Sequence, residues 1–81
     1  KIKLLKPRFR KYLKIHGLIK KFEKQVTLFL KNPKHPSLHT ELLIPKQMRI
    51  YSFRIDRKYR AIFILINPSE AEIVDINDHY Q

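Results

Sequence analysis

The 81 residues make one small domain with a modest core, so any site must lie on its surface or in a shallow cleft. Neither a membrane span nor a secretory signal is predicted, because the longest apolar run, residues 61–66, is too short and no continuous apolar stretch follows the basic start. The absence of cysteine excludes a disulfide framework and a thiolate metal site and fits a cytoplasmic protein. No cofactor or metal is expected.

The net charge of +11 lies entirely in the N-terminal part of the chain. Residues 1–36 hold twelve Lys and Arg against one acidic residue, Glu23, whereas residues 37–81 hold six of each sign. A surface of this kind attracts polyanions such as RNA, and it would equally suit an acidic protein segment. The remaining interpretation is a solvated helix face kept soluble by lysines.

The N-terminal elements are predicted to be one strand and two helices. Residues 1–5 (KIKLL) alternate in character and precede Pro7, which is typical of a short strand. Residues 8–16 have apolar side chains at helical spacing, and Gly17, the only glycine, permits a turn. Residues 18–31 form the most regular helix, with one apolar stripe and lysines largely away from it.

In the C-terminal half of the chain, the spacing of the apolar residues changes from a helical period to a period of two. Residues 48–55 and 59–66 are rich in Ile, Phe and Tyr and are joined by a three-residue turn, which predicts a hairpin. Residues 67–70 form a second turn, and residues 71–77 a third strand. The predicted fold is α+β: a small antiparallel sheet with two N-terminal helices on one face, in the order β-α-α-β-β-β.

The hairpin predicts a pair of arginines. If its turn centres on Arg57, Arg54 lies opposite Arg60, on the face that carries Ser52, while the alternating apolar residues face the helices. Like charges opposite each other are destabilising, so such a pair favours an anionic ligand or a nearby carboxylate. The alternative is that acidic neighbours neutralise both arginines as exposed ion pairs that contribute little stability. The candidate acids are Asp56, Asp75 and Glu41.

The other histidines are expected to have structural or surface roles rather than to bind metal. His35 and His39 have a spacing that binds metal on a helix, but Pro36 makes a helix unfavourable there. Residues 33–37 contain two prolines and are expected to be irregular. His16 lies on the apolar side of the first helix, which indicates packing.

Three segments, taken in order, resemble the bacterial and archaeal RelE/ParE-type toxins of toxin–antitoxin modules. They are PKHPSLHTELL (33–43), YSFRIDRKYRAIF (51–63) and IVDINDHYQ (73–81). Those toxins are similar in length and share the order of elements predicted above. The resemblance therefore implies a single toxin domain over residues 1–81.

The ribosome-dependent branch of these toxins implies an endoribonuclease. In that branch the ribose 2′-OH attacks the adjacent phosphate, and cations stabilise the transition state. Arg54 and Arg60 match the phosphate-contacting basic positions, and His79 matches the C-terminal histidine that transfers a proton. Tyr80 matches an adjacent tyrosine that contacts RNA.

The same resemblance implies further RNA contacts and leaves one role open. Lys46, Lys58 and Arg57 are the expected additional RNA-binding cations, although other branches have a pair of lysines where Lys46 stands alone. The carboxylate base of some relatives has no unambiguous counterpart in this chain, and Glu41 is the nearest candidate.

The expected partners are a cognate antitoxin and the ribosome with its mRNA, and no membrane. Two other functions remain open: a ParE-like gyrase inhibitor, and a catalytically degenerate binding module with the toxin fold. The joint presence of Arg54, Arg60 and His79 favours RNA cleavage.

Overall fold

Two helices lead into a four-stranded sheet in the computed structural model, which describes residues 1–79. The helices are α1 (Pro7–Ile15) and α2 (Ile19–Lys31), and the strands are β1 (Glu41–Leu42), β2 (Ile50–Arg54), β3 (Arg60–Asn67) and β4 (Glu70–Asn77). The strands lie in the order β1-β2-β3-β4, and every pair of neighbours is antiparallel. Within residues 1–79, neither helix has the length and apolar character needed to cross a membrane. The predicted α+β architecture is confirmed.

Both helices begin and end close to where the sequence predicted. α1 starts at Pro7, where the missing N–H would have no intrahelical partner in any case. Gly17 adopts a positive φ of 65°, in the left-handed region that glycine enters without strain, and the chain turns there into α2. This turn lets both helices pack on the same face of the sheet.

The core lies between the helices and one face of the sheet. The helices contribute Phe9, Leu13, Leu18, Phe22 and Phe29, and the sheet side contributes Phe53, Ile55, Ala61, Phe63, Ala71, Ile73 and Ile76. Phe53 is at the centre with no exposed surface, and its ring centroid lies 5.4 Å from that of Phe29 and 5.8 Å from that of Phe63. The prediction that the alternating apolar residues of the hairpin face the helices is confirmed for Phe53, Ile55, Ala61 and Phe63, with Tyr51 packed against the same core.

The predicted strand at residues 1–5 is wrong in extent, and its pairing is parallel. In the part of the chain that the structure describes, this segment forms a single bridge, between Ile2 and Ala71, with hydrogen bonds of 2.8 Å from Lys3 N–H to the Ala71 carbonyl and from Ala71 N–H to the Lys1 carbonyl. The chain leaves the sheet edge after this contact because α1 begins at Pro7.

The sequence did not reveal β1. This strand has only two residues, too few for a period-two pattern, and it follows a 3-10 turn at Pro36–Leu38. His35 stabilises that turn by accepting a hydrogen bond from the Ser37 N–H at its Nδ1, 3.2 Å away. This contact agrees with the structural role expected for His35.

Asp56 closes the β2–β3 turn. Its Oδ1 accepts hydrogen bonds from the backbone N–H groups of Lys58 at 2.9 Å and Tyr59 at 2.8 Å, and its Oδ2 from Lys21 Nζ at 3.3 Å. Partial burial raises the pKa of the Asp56 carboxyl, but these three donors outweigh it and hold the pKa below its ordinary value.

Asp56→Ala is expected to lower the free energy of unfolding by about 1–2 kcal/mol at pH 7, because two backbone N–H groups lose their acceptor. The folded-state pKa lies below the unfolded value, so the ionic part of this contribution is complete above the unfolded value near 3.8 and is lost as the pH falls through the folded pKa. Urea unfolding at pH 7 and in the acid range below the folded pKa measures the effect. A difference between wild type and variant that does not narrow in acid would contradict the ionic contribution.

Candidate functional site

The face of the sheet that points away from the helices carries two of the predicted site residues, Arg54 and Arg60. We call it the open face. Strand register places on it Glu41, Ile50, Ser52, Arg54, Arg60, Ile62, Ile64, Glu72, Asp75 and Asn77. Polar and charged side chains gather towards one end of this face, next to the β2–β3 turn.

The two arginines lie opposite each other, as the sequence predicted. Arg54 is the register partner of Arg60, and the turn is closed by a hydrogen bond from Ile55 N–H to the Tyr59 carbonyl at 2.9 Å. The next pair along the open face brings in Ser52. Both guanidinium groups therefore project from the same end of the same face.

The guanidinium group of Arg60 is buried and donates hydrogen bonds to uncharged acceptors. Arg60 is only 4% exposed; its Nε donates to Ser52 Oγ at 2.8 Å, and its Nη2 donates to the carbonyl oxygens of His39 and Ser52. Burial lowers the pKa of the Arg60 guanidinium, while the charge of Glu41 raises it and that of Arg54 lowers it. Within residues 1–79, Nη1 has no such bond, so it is the part of the group left for a ligand.

Exposed ion pairs do not explain the arginine pair. Among residues 1–79, no carboxylate oxygen lies within 4.0 Å of Arg54 or Arg60. Asp56 pairs with Lys21, and Asp75 accepts hydrogen bonds from the backbone N–H of Ile76 and the side chain of Asn77. The two positive charges therefore remain without a close carboxylate partner in the described part of the chain.

A β-bulge in β4 brings further polar groups to the open face. Phe63 pairs with Ile73 but Ile62 pairs with Asp75, so Val74 is an extra residue. A strict period of two from the buried Ile73 would have placed residues 75 and 77 in the core. The bulge reverses that parity, and Asn77 becomes the register partner of Arg60.

The position of the His79 backbone depends on this bulge through Asn77. Asn77 donates from Nδ2 to Asp75 Oδ2 at 2.6 Å and accepts the His79 N–H at its Oδ1 at 3.0 Å. Lys58 Nζ lies 4.0 Å from Asp78 Oδ2, which joins the β2–β3 turn to the end of β4. The backbone of His79 therefore lies at the sheet end that carries the arginine pair, and its side chain is exposed.

The remaining predicted cations are divided between the two ends of the sheet. Arg57 and Lys58 lie exposed in the turn beside the arginine pair. Lys46 lies in an exposed 3-10 turn before the start of β2, while Arg54 ends that strand, about 13 Å from its first residue at ~3.3 Å per residue. Tyr80 lies outside the described residues.

Glu41, like Asp75 and Glu72, is a carboxylate on the open face. β1 places it in register with Ser52, and its charge acts on the Arg60 guanidinium. As a candidate general base, Glu41 was indicated only by the resemblance, because its segment had no clear pattern.

Sequence reasoning missed two polar residues of this region, Gln25 and Asn77. Gln25 was predictable in part, since it interrupts the apolar stripe of α2 between Phe22 and Phe29, where a polar side chain needs a buried partner. Asn77 had no such signal because its orientation depends on the bulge.

A separate groove of about 820 Å³ opens on the helix-facing side of the sheet. Its lining is mostly apolar and aromatic and includes Phe29, Tyr51, Phe63 and Leu65, whereas the arginine pair does not line it. The open face is taken as the candidate site because the arginine pair lies on it, although the groove is also lined by basic groups, namely Lys1, Lys34, His35 and His39. Two arginines on neighbouring strands can hold a phosphate, and Glu41 on the same face and His79 just after β4 are the candidates for proton transfer.

The structure resembles solved toxin structures over almost its whole length. A YoeB/ParE toxin from Agrobacterium tumefaciens matches with a TM-score of 0.72 at 15% sequence identity, covering 98% of this chain and 95% of that one. Two structures of the YoeB–YefM toxin–antitoxin complex from Staphylococcus aureus, one described as heterotetrameric, match with a TM-score of 0.70 at 21% identity, covering 99% and 97%. No protein-family model and no curated protein matches. The chain has the fold of these toxins, which confirms at that level the resemblance to RelE/ParE-type toxins.

Proposed function

We propose that this protein is the toxin of a toxin–antitoxin module and cleaves mRNA on the ribosome through attack of the ribose 2′-OH on the adjacent phosphate. The observation that carries the proposal is the pairing of Arg54 with Arg60 on the open face, with no carboxylate within 4.0 Å of either in residues 1–79. The likeness of the fold to YoeB toxins supports the toxin role.

In this proposal the arginines divide the work on the phosphate. Arg54 is the more exposed of the two and holds the non-bridging oxygens of the scissile phosphate. Arg60 is fixed by Ser52 and His39 and stabilises the negative charge that grows in the transition state, with little reorganisation because it is already ordered.

Two groups are assigned the proton transfers. Glu41 accepts the proton of the attacking 2′-OH, and His79 donates a proton to the departing 5′ oxygen. Glu41 shares the open face with the arginine pair, and His79 follows the strand partner of Arg60 by two residues. An imidazole suits this donor role because its ordinary pKa lies near neutrality.

The partners are a cognate antitoxin and the ribosome with its mRNA, which places the action in the cytoplasm. The Staphylococcus aureus YoeB neighbour is itself in complex with the antitoxin YefM. The cationic helices, on the side of the sheet opposite the open face, suit either an acidic antitoxin segment or ribosomal RNA.

A second candidate function, a catalytically inactive binding module, has one observation in its favour. Arg60 is 4% exposed and already donates to Ser52 and His39, so it presents less of its guanidinium to a ligand than an open arginine would. Such a module would bind RNA or the antitoxin without cleaving.

The wild-type protein is expected to cut mRNA bound in the A site of programmed ribosomes, because the arginine pair, Glu41 and His79 are assigned the charge stabilisation and proton transfers that 2′-OH attack requires. Denaturing gels and end-group analysis should show a 5′-hydroxyl fragment, since attack by the 2′-OH expels the 5′ oxygen. His79→Ala is expected to lower the single-turnover rate by about 10²-fold.

An mRNA with a single 2′-deoxy nucleotide at the cut position is the matched control and should remain whole. Cleavage of this substrate would contradict 2′-OH attack. Binding to ribosomes without cleavage would favour the binding module, and inhibition of gyrase supercoiling without RNA cleavage would favour the ParE-like alternative.

A further inference from the structure

We propose that Gln25 is a positioning residue for the arginine pair, an inference that rests on the proposed function and deepens it. Gln25 lies on the core side of α2 and is 7% exposed. Its Nε2 donates to two carbonyl oxygens, that of Arg54 at 2.8 Å and that of Ser37 at 3.1 Å. The amide group thus directs both of its N–H bonds to backbone beside the candidate site.

The hydrogen bond to Arg54 replaces a missing strand partner. Alternate carbonyls of β2 point away from β3, and the one at Ile50 accepts the Leu43 N–H at 2.8 Å. The Arg54 carbonyl has the same direction, but β1 pairs no further along β2 than Ser52. Gln25 satisfies this carbonyl from the helix layer and so fixes the end of β2.

The hydrogen bond to Ser37 acts on the second arginine. Ser37 lies in the 3-10 turn Pro36–Leu38, which ends at His39 in the left-handed region with a φ of 45°. The His39 carbonyl accepts a hydrogen bond from Nη2 of Arg60. Gln25 therefore ties to one helix both the backbone of Arg54 and the segment that holds the Arg60 guanidinium.

This connection affects the spacing of the two guanidinium groups and leaves their charge unchanged. Catalysis by positioned cations is sensitive to displacements of about 1 Å, whereas general electrostatic attraction to RNA is not. Loss of the Gln25 amide should therefore lower the rate of the chemical step and leave substrate affinity nearly intact.

Gln25→Met, which keeps the length of the side chain and removes both donors, tests this in the intact chain. The cleavage rate at saturating programmed ribosomes is expected to fall about 10–100-fold, with the half-saturating ribosome concentration unchanged within about twofold. Thr27→Ala, which removes an exposed hydroxyl from the same helix, is the control and should cleave like wild type. A Gln25→Met variant that folds and cleaves within about twofold of wild type would overturn the inference.

A second variant adds a readout that a purely structural role would not give. Gln25→Glu keeps the shape, but its carboxyl donates a hydrogen bond only when protonated. The cleavage rate of Gln25→Glu relative to wild type should rise as the pH falls and the new carboxyl becomes protonated. Because burial raises the pKa of this carboxyl, the rise should occur at a higher pH than for an exposed glutamate. A ratio that does not change with pH would count against the inference.

A third readout does not depend on cleavage. The 2.8 Å hydrogen bond from Arg60 Nε to Ser52 Oγ should slow exchange of the Nε proton with water, which ¹⁵N NMR of the arginine side chains measures. Gln25→Met is expected to speed this exchange by about tenfold or more. If wild type cuts no RNA, the proposed function fails, but faster exchange of the Arg60 Nε proton in Gln25→Met still supports positioning by Gln25. If this exchange is unchanged in Gln25→Met, positioning by Gln25 is overturned whether or not RNA is cut.

Discussion

Replacing Arg54 with alanine is expected to lower the single-turnover rate of mRNA cleavage on programmed ribosomes by about 10²–10³-fold. Arg54 is the more exposed member of the arginine pair, and no carboxylate lies within 4.0 Å of it in residues 1–79. Its charge is therefore available to the scissile phosphate, and its effect grows as charge accumulates in the transition state. Rapid-quench measurements at saturating ribosomes give the rate of the chemical step.

Arg49→Ala is the matched control for this variant. Arg49 is an exposed arginine just before the other end of β2, so its removal changes the net charge equally and leaves the arginine pair in place. We expect its rate to stay within about threefold of wild type, because one exposed charge is largely screened by salt. Equal losses in both variants would mean that Arg54 acts only through general attraction to RNA.

Phe53→Ala is expected to lower the free energy of unfolding by about 3–5 kcal/mol, a large part of the stability of a small domain. Phe53 has no exposed surface, and its ring meets those of Phe22, Phe29 and Phe63 at centroid distances of 6.3, 5.4 and 5.8 Å. Loss of this ring leaves a cavity between the helices and the sheet. Urea unfolding followed by far-ultraviolet circular dichroism measures the change.

Two further variants make that measurement specific. Ile44→Ala removes a side chain that is 89% exposed and should change the free energy of unfolding by less than about 0.5 kcal/mol. Phe53→Leu fills part of the cavity and should fall between alanine and wild type. A loss below about 1 kcal/mol in Phe53→Ala would show that the contacts around this ring are not the centre of the core.

The elements with regular patterns were predictable because they depend on neighbours in sequence. The helix at Ile19–Lys31 has a regular apolar stripe interrupted at Gln25, and the hairpin of β2 and β3 combines two alternating segments with a short turn. β1 and the N-terminal bridge were not predictable to the same degree. β1 has two paired residues, too few to show a period. Residues 1–5 alternate in character over their whole length, but their bridge to the sheet edge is confined to Ile2.

The candidate site was predictable only where the hairpin fixes it. A short turn sets the register, and the register places Arg54 opposite Arg60. The positions of Asp75 and Asn77 depend on a bulge that no local pattern announces. Glu41 reached the open face through the short strand β1, which the sequence did not show.

The sequence alone thus determined the order of the main elements, the face that meets the helices and the pairing of the two arginines, since all three depend on periodicity and one tight turn. Only the tertiary structure decided the environment of those arginines. The burial of Arg60, its contacts with Ser52 and His39, and the link from Gln25 to Arg54 join residues that are 8, 21 and 29 positions apart. Contacts between such distant residues arise from packing the helices and loops onto the sheet, and side-chain spacing along the chain carries no record of them.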